Sequence, residues 1–333
     1  VERIAIRTHT EDWLADLAEA FRDPLELLAY LELDSHKFQQ DIQARKLFAL
    51  RVPRPFAAKM QKKARNDPLF LQAMSHQDEF LAAEGFVQDP LAEQQSPAPN
   101  ILHKYHNRLL FMLKNSCAIN CRYCFRRHFP YQAVKSGKAS WQQSLDYIAA
   151  HTELEEVILS GGDPLMAKDH ELDWVITALE QLPHIRTLRI HSRLPVVIPN
   201  RITDALCQRL ASSPLNIVLV THINHANEID DIFQYKMQKL KQAGVTLLNQ
   251  SVLLKGVNDK AEILKALSDK LFQYGILPYY LHLLDKVEGA SHFYIDDAQA
   301  IEIYKKLQRI SSGYLVPKLA REIPFEPNKT LMG

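Results

Sequence analysis

The chain has 333 residues, 47% of them hydrophobic and 24% charged, with a net charge of +1. This describes one large or two ordinary globular domains with enough core to stand without disulfides. The neutral balance gives no global electrostatic case for nucleic acid or a membrane surface. No apolar run approaches the roughly 18 residues of a membrane span, and the first residues form no apolar leader, so the expectation is a cytoplasmic protein.

Residues 1–100 read as a helical extension. In "TEDWLADLAEAF" Thr10 is the expected N-cap, and in "DPLELLAYLEL" Asp23 takes that place with Pro24 in the first turn. The Pro-rich "SPAPN" at 96–100 predicts a break. The pattern then changes to short apolar runs alternating with helical stretches. Strands are expected at 109–114, 156–160, 187–191, 216–221, 246–252 and 278–284. Helices are expected near 140–150, 169–182, 201–212, 226–243 and 260–274. Six strand–helix repeats with nearly continuous apolar strands predict a parallel α/β sheet over 101–295, followed by a C-terminal helix and tail over 296–333. Polar residues gather at the C-terminal end of every strand, as in "NSCAINC", "SGGDP", "HSR", "THINH", "NQS" and "LHLLD". An open doubly wound sheet concentrates its site at one switch point, so six contributing ends favour a partial (β/α)6 TIM-like barrel.

"CAINCRYCF" holds three of the four cysteines, Cys117, Cys121 and Cys124, at C-x3-C-x2-C spacing. Three thiolates do not complete a structural zinc site, which would need a fourth ligand such as His128 or Cys207. They can hold a four-iron cluster with one iron left open to another ligand. Fortuitous proximity is the third reading. Cys207, in a helical stretch, reads as a small buried side chain.

The spacing, its place after the first strand of a β/α repeat, and Tyr123 before the last cysteine resemble the radical S-adenosylmethionine enzymes. The resemblance implies a [4Fe–4S] cluster whose open iron binds S-adenosylmethionine, fed by an electron donor such as flavodoxin or ferredoxin. It also implies that Ser160, Gly161, Gly162 and Asp163 in "SGGDP" contact that cofactor. A plain strand-to-helix turn is the alternative for that segment. "HKYHNR", "CRYCFRRHF", "SGGDPL", "SRLPVVIPNRIT", "THINHANE", "NQSVLLKGVND" and "SGYLVP" together are similar to the lysine 2,3-aminomutases, in order over about 100–330. The chain as a whole looks closest to the branch that makes (R)-β-lysine for elongation factor P and its β-lysine ligase.

That resemblance implies pyridoxal phosphate as a second cofactor, held covalently by Lys329, with Lys318 as the fallback. Without it, Lys329 would read as a solvated tail lysine. It assigns Lys104, Tyr105 and Arg108 to the phosphate. Lys104 stands where relatives carry arginine, so the charge is kept and the two-pronged fork lost. It assigns Arg126 to the substrate carboxylate, Asp285 and Glu322 to the distal ammonium of lysine, and His222 and Gln250 to the neighbourhood of the adenosyl group. Glu322 replaces a shorter aspartate, and "PFEPN" replaces a glycine run before Lys329. Two acidic positions favour a cationic substrate side chain. The plainer readings are a basic surface loop for "HKYHNR", surface carboxylates for Asp285 and Glu322, and hydrogen bonding for His222 and His225, where a metal pair is the sharper alternative. A nucleic-acid patch is the alternative for "RYCFRRHF", and net charge does not support it. Two other functions share parts of the pattern: a radical enzyme that modifies RNA without pyridoxal phosphate, and a zinc-stapled binding protein without catalysis.

Overall fold

The structure is a computed structural model that describes residues 13–93, 97–133 and 137–333. Thr10 and Ser96 lie outside the described residues. One sheet organises the chain: β1 Ile101–Tyr105, β2 Arg108–Lys114, β3 Glu156–Gly161, β4 Thr187–Ser192, β5 Asn216–His222, β6 Thr246–Val252, β7 Leu277–His282, β8 Lys318–Arg321 and β9 Thr330–Leu331. The strands lie side by side in chain order. β2 to β8 are parallel, while β1 and β9 pair antiparallel at the two edges. The two edges do not meet, so the (β/α) sheet is an open, partial barrel.

The six expected strands are β2 to β7, with ends shifted by no more than two residues. β8 adds a seventh parallel strand. Helices Lys138–Ala150, Asp169–Glu180, Asp204–Ala211, Asp231–Gln242, Ala261–Gln273 and Asp297–Ile310 occupy the crossovers. The expected helices at 201–212 and 226–243 start later because caps intervene. Thr203 Oγ1 accepts from Leu206 N at 3.0 Å, and Asp230 Oδ1 accepts from Phe233 N at 2.8 Å. No helix among the described residues is long and apolar enough to cross a membrane.

Before β1 the chain forms short helices, among them Trp13–Ala18, Pro24–Tyr30, Arg54–Ala57 and Pro68–Ala73. Asp23 caps the second of these, accepting from Leu25 N at 3.1 Å, with Pro24 at its start as the sequence predicts. Prolines at 53, 55 and 68 mark where the helices Arg54–Ala57 and Pro68–Ala73 begin. Their apolar faces belong to the same buried cluster as the sheet: Trp13, Leu27, Phe56 and Leu69 share it with Leu109, Val157, Leu188 and Leu219.

This segment also grips the loop after β2. Arg51 Nη1 donates to Cys117 O at 2.8 Å, Asn120 N to Arg51 O at 3.1 Å, and Arg122 N to Gln72 O at 2.9 Å. The fully buried Glu79 carboxylate accepts from Arg122 Nε at 2.8 Å and from Arg127 Nη2 at 2.6 Å. Removing one side of a buried ion pair leaves the other charge desolvated, at a cost of about 3–5 kcal/mol. Glu79→Ala is therefore expected to lower the urea midpoint of unfolding markedly. An unchanged midpoint would contradict this account of the loop's anchorage.

Candidate active site

The cysteine loop leaves the C-terminal end of β2 and tightens through Cys124 N→Cys121 O at 3.0 Å and Arg127 N→Cys124 O at 3.1 Å. None of the four cysteines forms a disulfide. Burial, followed by Asp163 and the other two thiols, pushes the Cys117 thiol well up. Burial and Cys121 push Cys124 up to about 11. A bound cation would supply what burial withholds from the thiolates. The fourth ligands considered for zinc are engaged elsewhere: Cys207 is buried in helix Asp204–Ala211, and His128 Nε2 bonds Glu288 O at 3.1 Å. Among the described residues, no three His, Cys, Asp or Glu side chains are grouped to hold a metal ion. A four-iron cluster sets its thiolate ligands further apart than one ion does.

Against this loop lies the end of β3. Gly161 adopts φ +109°, and a Cβ there would meet Lys114 O at 2.8 Å. A Cβ on Gly162 would meet the Ser116 carbonyl oxygen at 2.5 Å. The glycines let the backbone of β3 abut the cysteine loop, and Asp163 N→Ser116 O at 2.9 Å locks the contact. Ser160 is buried beside them. The Asp163 carboxylate is spent inside the fold. It accepts from Ser192 Oγ at 2.7 Å and from the backbone N–H groups of Leu165, Arg193 and Leu194 at 3.0, 2.8 and 2.9 Å. It ties β3 to the end of β4, so its side chain shapes the loop.

One side chain that sequence reasoning missed stands over the cysteines. Arg193 Nη1 donates to Cys121 Sγ at 2.7 Å and to Tyr123 OH at 2.6 Å, while Nη2 reaches Gln72 Oε1 at 2.8 Å and Glu228 Oε2 at 3.0 Å. Burial disfavours its charge, but Cys121, Tyr123 and Glu228 outweigh burial and keep it protonated. On β5 and β6, His222 and Gln250 are register partners, and their side-chain Nε2 atoms meet at 2.6 Å. Burial holds His222 down at about 3, so its ring is neutral where it meets the amide. His225 is not paired with His222. Its Nδ1 accepts from Asn227 N at 3.1 Å in a local turn. His191 on β4, also missed, keeps an unpartnered buried Nε2 with its ring 6.0 Å from that of His222.

Beyond these, a chain of alternating charges joins most of the remaining candidates. Arg126, 7% exposed, meets Glu93 through two bonds, Nε→Oε2 at 2.6 Å and Nη2→Oε1 at 3.1 Å. Glu93 Oε1 also accepts from Lys104 Nζ at 2.9 Å, and Lys104 reaches Glu322 Oε1 at 3.1 Å. The other oxygen of Glu322 accepts from Lys329. Lys104 and Tyr105 lie on β1, an edge strand, and not on a surface loop. The turn at 106–107 returns Arg108 on β2 with its guanidinium 4.1 Å over the Tyr105 ring. Burial and the charge of Glu322 raise the Tyr105 hydroxyl. Asp285, after β7, is pushed up to about 7 by burial and Glu322, with Lys329 pulling the other way. Burial opposes ionisation of Glu322, yet Lys329 and Lys104 hold it down at about 2.

Lys329 is placed by the β8–β9 hairpin. Arg321 and Thr330 are register partners, which sets Lys329 against Glu322, with Nζ 6.0 Å from the Tyr280 ring. Within that hairpin Phe325 takes φ +67° and is 91% exposed, a left-handed backbone uncommon for a residue with a bulky side chain. Lys318 is exposed at the opposite end of β8, away from this cluster.

The Radical SAM superfamily matches residues 113–267, which include the three clustered cysteines. A protein of Haemophilus influenzae named L-lysine 2,3-aminomutase is 66% identical over 96% of this chain and 95% of its own length. One of the same name from Escherichia coli is 59% identical over 96% and 94%. A third, from Clostridium subterminale, is 35% identical over 96% and 77%. On these matches the chain belongs to the L-lysine 2,3-aminomutase family of isomerases, within the Radical SAM superfamily.

Proposed function

We propose that the protein converts L-α-lysine to (R)-β-lysine, with a [4Fe–4S] cluster on Cys117, Cys121 and Cys124, S-adenosylmethionine on its open iron, and pyridoxal phosphate on Lys329. The observation that carries the reading is the line of opposite charges that ends on Lys329. The cation Arg126 stands at its far end, joined through Glu93 and Lys104 to the carboxylate Glu322, which accepts from Lys329 and lies near Asp285. That arrangement complements an amino acid with a carboxylate at one end and an ammonium at the other. Bound there, the cluster with S-adenosylmethionine would supply radical chemistry at the β-carbon, and pyridoxal phosphate would supply an unsaturated group to carry the migrating nitrogen.

The chain's own residues bind, orient and exclude. Arg126 grips the substrate carboxylate. Glu322, which already accepts from two ammonium groups, and Asp285 take the distal ammonium. Lys104, Tyr105 and Arg108 face the phosphate. The backbone from Ser160 to Asp163 lets a cofactor approach closely, and the His222–Gln250 pair presents fixed donors and acceptors to the adenosyl group. The buried ends of the strands exclude water and oxygen. An RNA-modifying enzyme would have no use for Lys329 flanked by two carboxylates.

Anaerobic incubation with lysine, both cofactors and a reductant such as flavodoxin or ferredoxin is expected to yield β-lysine on chromatography. Recovery of α-lysine alone from protein carrying iron and pyridoxal phosphate would refute the reading. The resemblance along the whole chain further supports a cytoplasmic role in supplying β-lysine to the ligase that modifies elongation factor P. Cells lacking the gene should then contain elongation factor P without β-lysine, read from its mass.

Asp285 gives a pH prediction. Its carboxyl, near 7, is mostly protonated at about pH 6, and an arriving ammonium favours the ionised form. Lysine binding at that pH is expected to release close to one proton, and almost none from this group at about pH 8.5. Calorimetry in buffers of different ionisation enthalpy measures it, and buffer-independent heats at pH 6 would contradict it. The linkage to stability has the opposite sense to that of a salt-bridged carboxylate. The folded chain keeps a proton that the unfolded chain loses near pH 4, so this contribution is full below about pH 4 and is lost as pH climbs through about 7.

A further inference from the structure

We propose that Glu93 is a positioning residue for the substrate: it fixes Arg126 with one edge of the guanidinium turned to the lysine carboxylate and couples that grip to Lys104 in the phosphate site. The inference rests on the roles of Arg126 and Lys104 proposed above.

Glu93 is 4% exposed, and its backbone N–H is anchored on Asp89 Oδ1 at 3.0 Å. A buried carboxylate persists only when paired, and this one is paired with two cations. Burial opposes its ionisation, but Arg126 and Lys104 outweigh burial and hold it below the usual range. The side edge of the Arg126 guanidinium, Nε and Nη2, is taken by the two Glu93 oxygens at 2.6 and 3.1 Å. The end edge is different. Among the described residues Nη1 meets only Gly161 O at 3.3 Å and Ser160 Oγ at 3.4 Å, at the outer limit of hydrogen bonding. A two-point contact on one edge fixes the plane of the fork and leaves Nη1 and Nη2 to present a second two-point contact to a carboxylate. A carboxylate that competed with substrate would sit on the end edge, and Glu93 does not. Because Glu93 Oε1 accepts from both Arg126 and Lys104, a displacement of this one side chain moves both cations.

The test uses full-length protein loaded with cluster and pyridoxal phosphate, in four forms: wild type, Glu93→Gln, Arg126→Lys and the double variant. Dissociation constants for lysine and for lysinamide, which lacks the carboxylate, are measured by calorimetry beside KM and kcat. In Glu93→Gln an amide N–H faces the guanidinium, the fork turns, and lysine KM and Kd are expected to rise about 10- to 100-fold with a smaller change in kcat. Lysinamide binding and iron content stay at wild-type values. The double variant is expected to bind lysine no worse than Arg126→Lys alone, since the two residues act as one unit. A wild-type lysine Kd in Glu93→Gln, tighter lysine binding, or equal loss for lysine and lysinamide overturns the proposal. Unaltered lysine binding in Arg126→Lys strikes instead at the role of Arg126, and the proposal falls with it. If Glu93→Gln does not fold, Glu93→Asp decides. It keeps the charge one methylene short, and a smaller rise confined to lysine is expected. An unchanged lysine Kd, or equal losses for the two ligands, overturns the proposal there too.

Discussion

Cys121→Ala is expected to purify under anaerobic conditions as a folded protein with iron and sulfide near background and no formation of β-lysine. The loop has no spare thiol, since Cys207 is buried in a helix of the core. Two remaining thiols cannot retain a cluster built on three. The loop itself should persist. Its anchors are Asn120, Arg122 and Arg127 on Arg51, Gln72 and Glu79, and none of them uses the Cys121 sulfur. Arg193 loses one acceptor but keeps Tyr123, Gln72 and Glu228. Circular dichroism should therefore match the parent while iron, sulfide and turnover vanish together. Turnover retained without the cluster would rule out radical chemistry on this loop.

Lys329→Ala is expected to abolish turnover by a separate route. The variant should keep full iron and sulfide content but lose the visible absorbance of lysine-bound pyridoxal phosphate that borohydride bleaches. Lys329→Arg sharpens the test. It retains a cation for Glu322, so stability is expected to stay near the parent value, yet a guanidinium does not form the covalent link. Lys318→Ala should behave as the parent, because that side chain is exposed at the far end of β8. Bleachable absorbance that survives in Lys329→Ala and disappears in Lys318→Ala would reassign the cofactor lysine.

What could be read from the chain was local. The cysteine spacing lies in one loop and the six strands are runs of apolar residues, so both are legible. β8 is four residues long and β9 two, below the length at which a period can be seen. β1 was obscured because "HKY" breaks its apolar run, although Lys104 turns inward to Glu93 and Glu322. Glu93 and Arg193 were invisible for a related reason. Each is an ordinary charged residue in the sequence and acquires meaning only from partners far along the chain. Glu93 meets Arg126 33 positions later, and Arg193 meets Cys121 72 positions earlier. Resemblance supplied Lys329, and the hairpin that turns it onto Glu322 supplies the physical reason.

The grip of Glu79 on Arg122 and Arg127 makes the shape of the cysteine loop depend on a stretch made 43 to 48 residues earlier. On the function proposed above, iron retention would then report on the packing of that stretch as well as on the thiols. A substitution anywhere among residues 48–79 could then masquerade as a defect in iron delivery while the three thiols themselves remain intact.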